Sequence, residues 1–154
     1  MPERTVWGYF TPVSELIDNV LTKFRRDDMD VAWQRRDATI NGDALALQRL
    51  LSNLLENARR YGRAPFSVSL QPGDRHCELR VHDCGAGIAP ELQQAALTPF
   101  ERLAAHRGSD GGSGLGLAIV SRVVAQHGGS LRFDYPPDGG FAVVVTLPTL
   151  ADAG

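Results

Sequence analysis

The sequence has little cysteine, almost no lysine and no long apolar run, and each shortage narrows what the chain can be. Cys77 and Cys84 are the only two cysteines and lie seven positions apart. That spacing is not CxxC and no histidine pairs with it, so neither a zinc site nor a disulfide framework is indicated. Both read as reduced thiols in a cytosolic setting. No apolar stretch approaches the ~20 residues that span a bilayer, and the N-terminus lacks a charged region followed by an apolar core. As given, the chain is expected to be soluble and untargeted. A net charge of −2 leaves no broad basic footprint for nucleic acid or for an anionic membrane. Lys23 is the only lysine among 16 basic side chains. The arginine bias suits bidentate phosphate contacts, although genomic composition would give the same bias. Two familiar phosphate cradles are also missing. No Lys-Ser/Thr follows a glycine-rich loop, which excludes a P-loop, and no G-x-G-x-x-G follows a strand, which disfavours a dinucleotide fold.

What remains suits one compact domain: 154 residues, 43% of them hydrophobic, enough for a real core and too few for a second full domain. A short strand is expected at Val6–Phe10, followed by Thr11 as an N-cap with Pro12 in the first helical position. Val13, Leu16, Ile17, Val20, Leu21 and Phe24 repeat at helical spacing through about Arg26, where Asp27-Asp28 ends the run. Val31–Arg36 reads as a strand with Thr39-Ile40 as its short partner, closed by Asn41-Gly42. Asp43 should cap a helix over Ala44–Tyr61 that stops at a left-handed Gly62. Phe66–Leu70 and Cys77–Asp83 alternate in polarity around Gln71-Pro72-Gly73-Asp74 and read as an antiparallel hairpin. Gly85–Ile88 is a tight turn into a short helix at Pro90–Ala96. A helix over Ala118–His127, with Ile119, Val120, Val123 and Val124 inward, is stopped by Gly128-Gly129. A last hairpin pairs Leu131–Tyr135 with Phe141–Leu147. Helices interleaved with hairpins fit an α/β sandwich with helices on one face of a mixed sheet.

Three stretches carry polar chemistry in places where packing alone does not call for it. At ~100° per residue, Asn53, Asn57 and Arg60 fall within about one-sixth of a helical turn, with Glu56 beside them and an apolar stripe of Leu47, Leu50, Leu54, Ala58 and Tyr61 alongside. Carboxamides add little helix propensity and no charge, so two of them at i, i+4 suggest a ligand, although an isolated pair more often satisfies nearby backbone. Asp83 shares a strand face with Cys77, Leu79 and Val81, so it points a carboxylate inward, which is costly without a hydrogen-bond partner. Gly112–Gly116 leads into a helix, where backbone N–H groups and the helix dipole favour an anion. Between Leu97 and Gly114 the pattern dissolves into a segment rich in Gly, Ser, Ala and Asp, of the length expected of a functional lid.

In order and separation, Asn53…Asn57-Ala58-Arg59-Arg60-Tyr61, Asp83-x-Gly85-x-Gly87, Pro99-Phe100-x-Arg102 and Gly112-x-Gly114-Leu115-Gly116-Leu117 form a set. They resemble the N, first G, F and second G boxes of the sensor histidine kinase ATP-binding domain. That family belongs to the Bergerat-fold ATPases with gyrase B, Hsp90 and MutL, and among kinases the match looks closest to the osmosensor type. It spans about residues 5–148. The resemblance implies a two-layer α+β sandwich with a mixed, mostly antiparallel sheet of about five strands, three main helices on one face and a flexible ATP lid near residues 97–113. It implies ATP and Mg²⁺ as ligands. Asn57 would hold the metal, with Asn53 contributing through water. Arg60 would reach the phosphates and Tyr61 and Ile88 would contact the base. Asp83 would accept from the adenine amino group, and Gly85 and Gly87 would let the backbone pass close to the base. Phe100 would anchor the lid. Arg102, Gly112, Ser113, Gly114, Leu115, Gly116 and Leu117 would hold the triphosphate. Where hydrolysing relatives keep a water-activating Glu, this chain has Asn53, which suits transfer to another nucleophile. Asn53 and Arg102 are therefore the candidate catalytic positions.

By the same resemblance, the γ-phosphoryl goes to a histidine on a separate dimerisation and phosphoacceptor domain, with a response regulator downstream. The fragment would be a monomeric cytoplasmic domain of a homodimeric inner-membrane sensor kinase. Cys84 stands where the family usually has Asn or Asp, Ser113 replaces a commoner Thr, and Gly139-Gly140-Phe141 lacks a Thr often found near it. His76, His82, His106 and His127 lack the acceptor setting of His, an acidic residue and Arg-Thr-Pro, and read as surface, strand or helix-end residues. An anti-sigma-type Ser/Thr kinase of the same fold, a non-catalytic nucleotide sensor and a gyrase-like hydrolase remain alternatives. Asn53 and the missing transducer domain weigh against the last.

Overall fold

A computed structural model describes residues 10–97 and 116–149. In chain order it contains β1 (Phe10–Pro12), α1 (Val13–Arg26), β2 (Val31–Trp33), β3 (Thr39–Asn41), α2 (Ala44–Tyr61), β4 (Phe66–Pro72), β5 (His76–Asp83), α3 (Pro90–Ala96), α4 (Gly116–Gln126), β6 (Ser130–Asp134) and β7 (Phe141–Pro148). Five strands form one sheet in the order β2-β4-β5-β7-β6, mixed because β2 runs parallel to β4 while the other neighbours are antiparallel. β1 and β3 form a separate antiparallel pair.

Alternation in the central strands divides the sheet into two faces. In β5, Cys77, Leu79, Val81 and Asp83 are buried, while Glu78, Arg80 and His82 are partly exposed on the opposite side. Register aligns the buried set with Leu147, Val145, Val143 and Phe141 of β7. The apolar faces of α1, α2 and α4 close over it: Ile17 and Leu21, then Leu50, Leu51, Leu54 and Leu55, then Val120 and Val124, all in one core cluster. Burying a Leu-sized side chain contributes about 1.5–3 kcal/mol, so these stripes supply the main drive to form the layer. The outer face carries charge. Arg80 donates to Asp134 at 2.8 Å and holds that carboxyl below its ordinary range, and Arg132 lies 3.4 Å from Glu78.

Helix α2 begins as expected, with Asp43 Oδ1 accepting from Leu45 N and Ala46 N at 3.0 and 3.3 Å. Several local expectations fail, for identifiable reasons. Thr11 does not cap α1. It lies in β1, where its hydroxyl donates to Gly42 O at 3.0 Å, and Pro12 takes the cap position without a side-chain bond. Thr39–Asn41 pairs with β1 rather than with β2, whose partner is β4. The β2 strand ends at Trp33, and beyond it the Trp33 indole and Arg35 both bond to Asp18 at 2.8 Å while Arg35 also pairs with Asp37. Gly62 has φ −100° and ψ −157°, an extended rather than a left-handed conformation. Ile119 is only partly buried, and α4 stops one residue before His127. Of the strand expected at Val6–Phe10, all but Phe10 lies outside the described residues. Among the described residues no helix is long and apolar enough to cross a membrane.

His127 is buried and joins α4 to α2, the helix whose far end lines the cleft described below. Its Nε2 accepts from the Asp43 backbone N–H at 3.1 Å, which assigns the ring proton to Nδ1, and Nδ1 donates to Val123 O at 2.8 Å. The C-terminus of α4 is thereby tied to the N-cap of α2. His127→Leu removes the acceptor of the Asp43 N–H and should lower unfolding free energy by about 1 kcal/mol, the net worth of a part-buried hydrogen bond. Urea denaturation at pH 8 measures it, and a loss below about 0.5 kcal/mol would show that the joint is incidental.

Candidate functional site

The polar edge of α2 and the end of β5 meet at one cleft. Asn57, Tyr61 and Gly62 line one wall, Asp83, Gly87 and Ile88 the other, and Phe141 the floor, around about 320 Å³ of empty space that is partly open to solvent. The helical spacing places Asn57 and Tyr61 one turn apart on the side of α2 that faces the sheet end. Asp83 arrives there because it is the last residue of the buried face of β5, paired in register with Phe141.

Asp83 is 4% exposed. Its Oδ1 accepts from Gly85 N at 2.6 Å, so the turn that follows the strand folds back onto the carboxylate. Two glycines make room for that arrangement. A Cβ on Gly62 would fall within 2.6 Å of Asp83 Oδ1, and one on Gly85 would lie 2.9 Å from the same oxygen and 3.1 Å from the Gly62 Cα. The end of α2 and the turn after β5 are thus in backbone contact around the carboxylate, and Cys84 N donates to Arg63 O at 2.7 Å beside it. Gly87 adopts φ +78°, and a side chain there would enter the rings of Phe141 and Tyr135.

The sequence-derived residues separate into three groups. Asn57, Tyr61, Asp83, Gly87 and Ile88 line the cleft, and Gly85 supports Asp83. Asn53 lies one turn before Asn57, with its Nδ2 buried and without a hydrogen-bond partner among the described residues. Arg60 is exposed on the same helix, Gly116 opens α4, and the Leu117 side chain is buried in the core rather than in the cleft. Phe100, Arg102, Gly112, Ser113, Gly114, Leu115 and the lid near residues 97–113 lie outside the described residues, apart from Leu97. Glu56 pairs with Arg59 at 2.6 Å instead of turning toward the amides. Cys77 is buried, and desolvation pushes its thiol up to about 11, so it stays protonated in the core.

The sequence matches one family model over most of its length. The model for histidine kinase-, DNA gyrase B- and HSP90-like ATPases fits residues 42–151, from the start of α2 past the last strand. The chain belongs to this family. It is 38% identical over 150 residues to the signal transduction histidine-protein kinase/phosphatase MprB of Mycobacterium ulcerans, covering 88% of this chain and 28% of that protein. The chain therefore spans between a quarter and a third of that relative's length. A solved mycobacterial sensor histidine kinase MprB superimposes with a TM-score of 0.76 at 34% identity, covering 91% of this chain and 96% of that one. The ATP-binding domain of PrrB from Mycobacterium tuberculosis gives 0.73 at 25% identity, with 91% and 96% covered. The fold is thus that of the ATP-binding domain of sensor histidine kinases, the Bergerat fold.

Sequence reasoning missed Phe141, Tyr135 and the true reason for Gly62. Phe141 carried a weak signal, an aromatic residue directly after Gly139-Gly140 at the start of an apolar strand. Gly62 carried an ambiguous one, since a glycine after a helix usually marks a left-handed cap. Its φ is open to alanine, so the constraint is steric contact with Asp83. Gly62→Ala should therefore destabilise the chain by about 1–3 kcal/mol, as overpacking does, and most of that loss should vanish in an Asp83→Ala background. Urea denaturation of the four-member cycle measures both, and a loss that persists without the carboxylate would contradict the contact.

Proposed function

We propose that the chain binds ATP with Mg²⁺ and delivers the γ-phosphoryl group to a histidine on a separate helical dimerisation and phosphoacceptor domain. The observation that carries this reading is the convergence of Asn57 on α2 with the buried Asp83 at the end of β5 in one cleft, in a chain of this ATPase family. A buried carboxylate beside an apolar wall suits an adenine, with its amino group donating to Asp83 and its ring between Ile88 and the Tyr61 side. Gly87, on the same side of the cleft, leaves room for the Phe141 and Tyr135 rings that back it.

The donors present fit Mg²⁺. Asn57 brings a neutral amide oxygen, and no cluster of three His, Cys, Asp or Glu exists among the described residues to form a cage. Mg²⁺ typically takes few protein ligands and completes its shell with phosphates and water. When bound, it offsets charge on the β- and γ-phosphates. The unmet Asn53 Nδ2 is a donor for a phosphate oxygen or for water. An amide has no basic lone pair to deprotonate water, so Asn53 favours holding the phosphoryl for transfer over hydrolysis. Arg60, exposed on the same helix, would reach the phosphates, and Arg102 with the Gly112–Leu117 amides would hold the transferring group.

Phosphoryl transfer asks mainly for positioning and charge stabilisation, so the nucleophile can come from outside the chain. The relatives' greater length leaves room for it. In this reading the parent is a homodimeric sensor kinase with a response regulator downstream, and the chain is its cytoplasmic portion. Incubation with ATP, Mg²⁺ and the parent's own acceptor helices should yield a phosphoprotein stable in base and lost in acid. Asn57→Ala should reduce that yield at least about tenfold, the loss of one charge-assisted contact of about 1.5 kcal/mol or more, with the melting temperature kept. An acid-stable product would contradict histidine transfer, and unchanged Mg²⁺ dependence in Asn57→Ala would contradict the metal assignment.

A further inference from the structure

The turn from Cys84 to Ala89 forms one side of the cleft, yet it has left the sheet and lies between two elements that do not pair with it. Its first half is held by backbone and carboxylate contacts at Cys84 and Gly85. In its second half Ile88 packs into the core, Ala89 O accepts from Leu92 N, and the Ile88 carbonyl oxygen gathers two side-chain donors. Gln93 Nε2, from α3, donates to that oxygen at 3.0 Å, and the Tyr135 hydroxyl, from just beyond β6, donates to it as well. Gln93 Nε2 also lies 3.2 Å from the Tyr135 hydroxyl, so the three groups close a small ring of hydrogen bonds.

Tyr135 is itself fixed from below. The preceding residue, Asp134, is the last of β6 and is held by Arg80 at 2.8 Å. The Tyr135 ring is tilted against Phe141 with centroids 5.3 Å apart, and Phe141 in turn stacks with Phe133 at 5.6 Å. The same two rings of Tyr135 and Phe141 occupy the space that a side chain on Gly87 would need. Tyr135 is 45% exposed, so core packing alone does not account for it. Its hydroxyl and ring edge both act on the turn.

We propose that Tyr135 is a positioning residue of the nucleotide site: its hydroxyl on the Ile88 carbonyl and its ring against Gly87 and Phe141 fix the base side of the cleft. The proposal rests on the reading of that cleft as an ATP site and deepens it. The Tyr135 hydroxyl and ring meet Ile88, Gln93 and Phe141, on the side of the cleft away from α2 and Asn57. Tyr135 therefore governs affinity for the adenosine half of the ligand and is indifferent to the γ-phosphate. Gln93 acts on the same oxygen, so removing both donors leaves the Ile88 carbonyl without these two side-chain partners and frees the turn further.

The test titrates the full chain, Tyr135→Phe and the double variant Gln93→Ala/Tyr135→Phe with ATP and with ADP in the presence of Mg²⁺, and records melting temperature and backbone amide spectra without ligand. Tyr135→Phe keeps the ring and removes the hydroxyl. It should weaken ATP and ADP by the same factor, about 3- to 10-fold, the worth of one neutral hydrogen bond. The double variant should lose more. Without ligand, the Gly87 and Ile88 amide resonances should move while that of Asn57 and the melting temperature stay in place. Wild-type affinity in Tyr135→Phe, a loss confined to ATP, or a loss that tracks a general fall in melting temperature would each overturn the proposal. A wild-type chain that binds neither nucleotide would be a different result. It would remove the ATP reading itself, and this proposal with it.

Discussion

A carboxylate buried at the end of the middle strand governs how the rest of this molecule is arranged. Asp83 continues the apolar face of β5, so sheet geometry carries it inward whether or not a partner is there. An unpaired carboxylate in such a place would cost several kcal/mol, and the chain answers locally with the Gly85 N–H. That answer has consequences in two directions. The strand must break at once into a tight turn, and the end of α2 must come close enough that only a glycine fits at position 62. The cleft is the space left over when a helix end, a strand end and a turn are all drawn to one side chain.

The helix that supplies the opposite wall has two tasks, and its sequence divides them by angle. Its leucines, fully buried at 50, 51, 54 and 55, hold it to α4 and the sheet, while the amides at 53 and 57 sit at the edge of that stripe. Because the apolar stripe fixes the helix rotation, the amides need no further device to aim them. The position of α2 along its axis is set elsewhere, by Asp43 at its cap and by the His127 joint to α4. Helix α2 is therefore anchored twice, at its capped end remote from the cleft and at Gly62 against Asp83 within it.

Much of this was legible in the residue order, and the failures are instructive. The α2 boundaries followed from the Asp43 cap and the leucine spacing, and the β4–β5 hairpin from strict alternation; both are local signals. The polar stripe and the inward Asp83 were read from periodicity, and only their meeting in one cleft needed the fold. β1 and β3 were misread because three-residue strands carry no alternation to reveal a partner, and Thr11 resembled a cap until its hydroxyl was seen to bond across to Gly42. Gly62 reads in the sequence as a left-handed helix stop, whereas it is extended and held to glycine by contact with Asp83. Tyr135 left no trace at all, since its partners Ile88, Gln93 and Phe141 come together only through register and the turn after β5. Sequence periodicity reports which way a side chain faces, whereas a contact between distant turns appears only when the strands are paired.

The central claim is that one nucleotide occupies the space between α2 and the turn after β5. Amide chemical-shift mapping of the full chain, titrated with a non-hydrolysable ATP analogue with and without Mg²⁺, tests it most directly. The account predicts saturable shifts at Tyr61, Gly62 and from Asp83 through Ile88 under both conditions, with shifts at Asn53 and Asn57 that grow when Mg²⁺ is added. Saturation with those amides unmoved, or with shifts gathered on the charged outer face of the sheet, would contradict it.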